Sequence, residues 1–311
     1  MTLLLVLSLV FLVGCQQKTT TPTFSGKAFI GGNQGLEMTF LPNSPPKEIF
    51  DVDSPFFISV KIENKGEYNI DSGDKIKISV TGINPSDFKV NTADLTKNSP
   101  NALNGVTVDT TGNKISGDFV TIDFPEMNYF KQISGTVPLP LRANACYEYG
   151  TKAQGKLCVR KDLRGVTGQT GVCDPNRVVP AENSGAPVQI SDFKQNVAGS
   201  NKIDFFFTIK KSGAATDSLY KKGTSCDIAV ANTDLVYVEV SDTGLGTLSC
   251  MGLKDGTATS GYVKLFNGQQ EVRCSQTITN PDDFEKVVDI KLTYDYKQFI
   301  DTQISVKHAS S

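Results

Sequence analysis

The chain has 311 residues, with 31 basic and 33 acidic side chains, a formal net charge of −2, no tryptophan and a single histidine. So even a balance leaves no global field to recruit nucleic acid or an anionic surface, and nucleic-acid binding is not expected. One histidine narrows the catalytic options too. A Ser-His-Asp or Cys-His site would have to use His308, in a Val306-Lys307-His308-Ala309 segment that reads as the frayed end of a strand.

Taken from the start, Thr2 to Gly14 is an apolar run interrupted only by Thr2 and Ser8. It is shorter than the ~20 residues that cross a bilayer and matches the apolar part of a secretory signal. Leu12-Val13-Gly14-Cys15 follows, and it resembles the lipobox of prokaryotic lipoproteins, in which a small residue precedes an invariant cysteine. The resemblance implies cleavage after Gly14 and acylation of Cys15, with the membrane as the partner of the acyl chains. Residues 1–14 are thus expected to be a signal peptide. Residues 15–23 are expected to be the lipidated cysteine and a tether, because Gln16 to Thr23 is polar and β-branched and cannot bury a core.

Beyond the tether, long helical periodicity is absent and the clear segments alternate with period two, as half-buried strands do. Phe56, Ile58, Val60 and Ile62 share one face, opposite Phe57, Ser59, Lys61 and Glu63. Ile76, Ile78 and Val80 do the same against Lys75, Lys77 and Ser79. In the second half Ile203, Phe205, Phe207 and Ile209 repeat the first pattern, and Val236, Val238 and Val240 the second. The register is kept: Gly66 maps onto Gly213, and Tyr147-Glu148-Tyr149 onto Tyr294-Asp295-Tyr296, both 147 residues further on. The sequence therefore reads as an internal duplication. A first domain is expected over residues 24–163, a connector rich in Gly, Pro and polar residues over 164–182, and a second domain over 183–308.

Short alternating strands with turn signals such as Asn64-Lys65-Gly66 and Asn267-Gly268 fit antiparallel sandwiches, with an eight-stranded barrel as the competitor. An apolar alternating strand that runs into Glu63-Asn64-Lys65-Gly66 resembles the second strand of CARDB-type modules, immunoglobulin-like domains of bacterial and archaeal surface proteins. The layout with its Cys146-Tyr147-Glu148-Tyr149 strand and the Gly185-Ala186-Pro187 segment is also similar to uncharacterised exported proteins of archaea. The resemblance implies an all-β fold of two tandem immunoglobulin-like antiparallel β-sandwich domains.

After Cys15 six cysteines remain: Cys146, Cys158, Cys173, Cys226, Cys250 and Cys274. An even number in an exported chain is read as disulfides, and six allow 15 connectivities. In Leu139 to Tyr149 the odd positions form the buried row, so Cys146 points outward. Leu157 and Val159 point inward, so Cys158 points outward as well, and the two are expected to meet across a hairpin centred near Lys152. Antiparallel pairing of the second domain's first strands favours Cys173 with Cys226 and leaves Cys250 with Cys274. No C-x-x-C occurs to build a zinc ribbon or a thioredoxin motif.

Other candidate sites carry bland readings. Gly31-Gly32-Asn33-Gln34-Gly35 lacks the Gly-Lys-Ser/Thr ending of a phosphate loop and reads as a turn. Asp51/Asp53, Asp71/Asp74 and Asp282/Asp283/Glu285 are the metal candidates by composition, but none has EF-hand spacing, and solvated loop acids are the better reading. Tyr147, Tyr149, Tyr294 and Tyr296 lie on inward registers and read as core tyrosines rather than a stacking platform. Phe57 and Phe206 fall on the faces opposite their apolar rows. With no catalytic set, no metal and no cofactor, the expectation is a non-enzymatic, lipid-anchored scaffold, adhesion or interaction module. It would sit at the outer face of the cytoplasmic membrane with a surface protein as partner. The alternative is an extracytoplasmic module that binds a small solute or calcium.

Overall fold

The computed structural model describes residues 27–52, 54–165 and 171–309. The leader, Cys15, the tether and Asp53 lie outside the described residues. The fold is all-β, and two strands of 24 residues organise it: Thr136–Val159 and Phe284–Lys307. They run antiparallel and stay in register over their whole length, from Thr136 opposite Lys307 to Val159 opposite Phe284. At about 3.3 Å per residue this ribbon is about 80 Å long.

Period two along the ribbon decides what is buried. Leu141, Ala143, Ala145, Tyr147 and Tyr149 from one strand, with Leu292, Tyr294, Tyr296 and Ile304 from the other, lie in the core. The ribbon is the middle of a nine-stranded sheet. On one side stand Ile76–Thr81 and Thr96–Asn98; on the other stand Leu235–Val240 and Ser260–Lys264. Short strands close its margins, including Glu48–Phe50, which pairs parallel to the end of the second long strand.

Each repeat adds a sheet of its own to this shared one. In the first, Leu36–Phe40, Ser59–Asn64 and Phe119–Asp123 make three strands; in the second, Val188–Val197, Lys202–Lys211, Gln269–Thr277 and Leu248–Met251 make four. Ile58, Val60 and Ile62 from the former and Ile203, Phe205, Phe207 and Ile209 from the latter are fully buried, in one hydrophobic cluster with the inward row of the ribbon. The result is a sandwich architecture in which the repeats meet along their long strands. The shared sheet therefore draws its two long strands from either side of residues 164–182, since Thr136–Val159 precedes that segment and Phe284–Lys307 follows it.

Pairing register and duplication together define a local two-fold. Glu148 lies opposite Asp295, and these are also the residues equivalent by the 147-residue repeat. Tyr147 opposite Tyr296 and Tyr149 opposite Tyr294 flank this pair symmetrically. The symmetry also explains the two marker glycines. A Cβ on Gly66 would overlap the Tyr149 hydroxyl, and a Cβ on Gly213 would overlap the Tyr296 hydroxyl. Each hydroxyl then finds its own acceptor: Tyr149 donates to Asn64 Oδ1 at 2.8 Å and Tyr296 to Asp217 Oδ2 at 2.8 Å.

All six cysteines of the folded part form disulfides, but two of the three expected pairings are corrected. The bonds are Cys146–Cys226, Cys158–Cys173 and Cys250–Cys274. The segment around Lys152 is not a hairpin; it continues the first long strand. Cys146 and Cys158 therefore lie twelve residues apart on one strand, about 40 Å, and cannot meet. Cys158 instead clamps the chain that leaves the ribbon, through Cys173. Cys250 and Cys274 stand directly opposite in adjacent strands, as the sequence led one to expect.

Candidate functional site

On the outer side of the shared sheet the repeats differ in length. Ten residues separate Gly66 from Ile76, whereas 23 separate Gly213 from Val236, so the second repeat carries 13 extra residues at this point. The added length is the Lys221-Lys222-Gly223-Thr224-Ser225-Cys226 turn and the segment after it. Gly223, Ser225 and Cys226 all have positive φ (77°, 52° and 58°). For the serine and the cysteine this left-handed backbone is costly, and the Cys146–Cys226 bond helps hold it against the sheet.

So folded, the turn aims its amides at Asp295. Gly223 N–H donates to Oδ1 at 2.9 Å, and Thr224 and Cys226 N–H donate to Oδ2 at 2.9 and 3.4 Å. Closely spaced N–H groups of one turn that converge in this way make an anion-binding concavity, filled here by the protein's own carboxylate. Asp295 is only 3% exposed. Burial pushes its carboxyl above the ordinary aspartate value, and the backbone donors only partly oppose that.

Across the local axis, Glu148 is managed differently. Lys75 Nζ lies 2.8 Å from its Oε1 and 3.0 Å from Asp71 Oδ1. Hydrogen bonds to Glu148 and then to Asp71 hold the Lys75 ammonium above the usual lysine value. Lys75, Glu148, Gly223, Ser225 and Asp295 border a cleft of about 110 Å³. Ligand pockets usually enclose ~300–1,000 Å³. Next to the turn, Tyr237 and Tyr262 meet edge to face at 5.0 Å on the outer face of neighbouring strands. Lys222 Nζ stands 3.9 Å above the Tyr237 ring and Lys221 Nζ 4.7 Å above that of Tyr262.

The residues singled out in the sequence are scattered, and most have structural employment. His308 is not frayed: its N–H bonds Gly135 O at 2.9 Å, and its Nδ1 lies 2.7 Å from Asp51 Oδ2. Asp51 is buried and also accepts from Ala309 N–H at 2.9 Å and Ile133 N–H at 3.0 Å. The Ala309 amide foremost, then the His308 ring and the Ile133 amide, hold its carboxyl far below the usual range. Asp71 is taken by Lys75, Asp74 accepts from Asn98 Nδ2 at 3.4 Å, and Asp283 accepts the Lys161 N–H at 3.1 Å. Among the described residues, no group of three or more His, Cys, Asp or Glu side chains is arranged to hold a metal ion.

The four tyrosines are buried together. Besides the contacts above, Tyr147 donates to Gln298 Oε1 at 3.1 Å while accepting from Leu36 N–H at 3.2 Å, and Tyr294 lies 3.3 Å from Thr151 Oγ1. Burial is the main reason that all four hydroxyls titrate above the ordinary tyrosine value. Phe57 is half exposed, and Phe206 lies under the Arg273 guanidinium at 5.4 Å.

The Gly31–Gly35 segment straps the first repeat to the start of the second. Glu67 is the clasp, accepting N–H bonds from Ile30 (3.0 Å), Gly31 (2.8 Å) and Gly185 (2.6 Å). Sequence reasoning missed Glu67 and the Asp295 turn. The extra 13 residues of the second repeat were a readable signal for the turn; nothing local marks Glu67.

The fold and disulfides define a duplicated β-sandwich protein suited to an oxidising, extracytoplasmic setting. No family model matches the chain, and no curated protein matches it. Among solved structures, the envelope protein VP37 of White Spot Syndrome Virus aligns at 7% identity over 48% of this chain and 97% of that one. The TM-score is 0.26, too low to bear on fold or role.

Proposed function

We propose that the protein is a non-enzymatic interaction module anchored outside the cytoplasm by lipid on Cys15. The observation that carries this reading is how the polar groups are used. His308, Asp51, Asp295, Glu148 and the four core tyrosines are all engaged in bonds that hold strands and loops together. Three disulfides add to the same rigidity, which suits a spacer or docking platform exposed to proteases and to variable conditions. The apolar leader that ends at Gly14 directs export, and the acyl chains on Cys15 supply the attachment.

The test is expression in a prokaryotic host that processes lipoproteins, followed by fractionation and intact mass. The chain should begin at an acylated Cys15 and sediment with membranes, and Cys15→Ser should release it. An unmodified cysteine in a soluble chain would refute the anchor.

A further inference from the structure

The most exposed apolar side chains in the described molecule lie on the segment that breaks the duplication. Ile228 is 75% and Val230 78% exposed, and Ala229 and Ala231 are exposed with them. This tip does not hang loose. Cys226 fixes its base, and Asn232 Nδ2 closes it by donating to Asp227 Oδ2 at 2.8 Å. Lys221 N–H donates to Asn232 O at 2.7 Å, and Lys264 Nζ reaches Val230 O at 3.4 Å. The chain therefore uses a disulfide, strained backbone and several hydrogen bonds to hold four aliphatic residues in water.

Behind the tip, the composition changes in layers. Lys221, Lys222 and Lys264 surround its base, with the Tyr237 and Tyr262 rings beneath the first two. Of the nearby acids, Asp227 is occupied inside the loop, Asp295 is held by the turn, Asp234 lies at the loop's far end and exposed Asp255 lies on the Tyr262 side. Small aliphatics outermost, then tyrosine rings and long lysines, is the order in which side chains partition from acyl chains to headgroups. A protein-docking tip would be expected to carry aromatic or arginine anchors that fill a pocket, and this one has none.

We infer that the 227–231 loop is a membrane-contact element that dips its aliphatic tip into the acyl boundary of an anionic bilayer while Lys221, Lys222 and Lys264 meet the lipid phosphates. From the anchor reading this takes only that the protein works at a membrane; it adds that the folded part lies against that surface in a fixed orientation.

The absence of tryptophan makes the test direct. Val230→Trp, and separately Ile228→Trp, gives the full chain one indole at the tip. Phe119→Trp places it on the opposite outer face, in the three-stranded sheet. Each variant is titrated to saturation with vesicles of phosphatidylcholine and phosphatidylglycerol that carry brominated acyl chains. The tip indoles should shift to the blue and be quenched severalfold more than the Phe119→Trp control. Lys221→Glu with Lys222→Glu, or omission of phosphatidylglycerol, should reduce that quenching. Tip indoles that stay in water, or quenching equal to the control, would overturn the inference whether or not the chain sediments with the vesicles. The mass at Cys15 reports the anchor separately, so either reading can fail alone.

Discussion

Glu148 and Asp295 occupy one position in two copies of the same repeat, and they face each other across the ribbon. Like charges directly opposite in a ladder destabilise it. The first repeat answers with a counterion, Lys75, at a partly open surface. The second answers with backbone: 13 extra residues bring three amides onto Asp295 and seal it from water. The first solution needs one side chain and tolerates change. The second needs left-handed backbone at non-glycine residues, and hence a covalent brace.

The strongest way to break this comparison is to cut the brace. Replacing Cys146 and Cys226 together by serine should lower stability by about 4.5 kcal/mol on chain-entropy grounds, because the bond closes a loop of 80 residues. The same treatment of Cys158 and Cys173, with a separation of 15, should cost about 3 kcal/mol. Denaturant unfolding without reductant measures both, and a reversed order would mean that the turn holds Asp295 without its staple.

Next come the paired glycines. Gly66→Ala should cost about 3 kcal/mol, since the added methyl meets the Gln34 and Gly185 carbonyls as well as the Tyr149 hydroxyl. Gly213→Ala conflicts chiefly with the Tyr296 hydroxyl, so Tyr296→Phe should partly rescue it. Tyr149→Phe should not rescue Gly66→Ala. Thermal melts of the four single and two double variants decide this.

Smaller again is the direct comparison at the axis. Asp295→Asn should cost about 2 kcal/mol, because it alters a buried acceptor of three amides. Glu148→Gln should cost less than about 1 kcal/mol, as for other solvent-accessible ion pairs. Equal losses would show that the two solutions are energetically the same.

The subtlest difference is in pH dependence. Asp295 has a raised folded pKa, so its contribution favours the folded state at low pH and declines as pH rises from ~3.9 through the folded value. Asp51 has the opposite sign: its contribution is complete above ~3.9 and is lost as pH falls towards its much lower folded value. Melting curves of Asp51→Asn and the native chain should therefore converge on acidification. Curves that stay parallel would remove Asp51 as an acid-sensitive clamp.

The inward rows were legible because alternation needs no partner: Ile58, Val60 and Ile62, Phe205 and Phe207, and all four tyrosines are buried as their parity requires. The duplication was legible for the same reason. The ribbon was not, because a 24-residue strand far exceeds the usual 3–10, and Gly150-Thr151-Lys152 has the composition of a turn. The false hairpin then misplaced Cys146 and Cys158, and with them Cys173 and Cys226. Asp295 escaped notice because its partners come from a loop some 70 residues away, and only strand register brings them together.

The local two-fold also has a meaning in terms of ancestry and assembly. A single repeat would end in a long strand with an open edge, and two identical copies would close that edge around an isologous axis. Such a homodimer would set one acidic residue against its own symmetry mate, a conflict that identical subunits must relieve identically or not at all. Joining the copies in one polypeptide lifts that restriction, so one half can take up a lysine and the other a new loop.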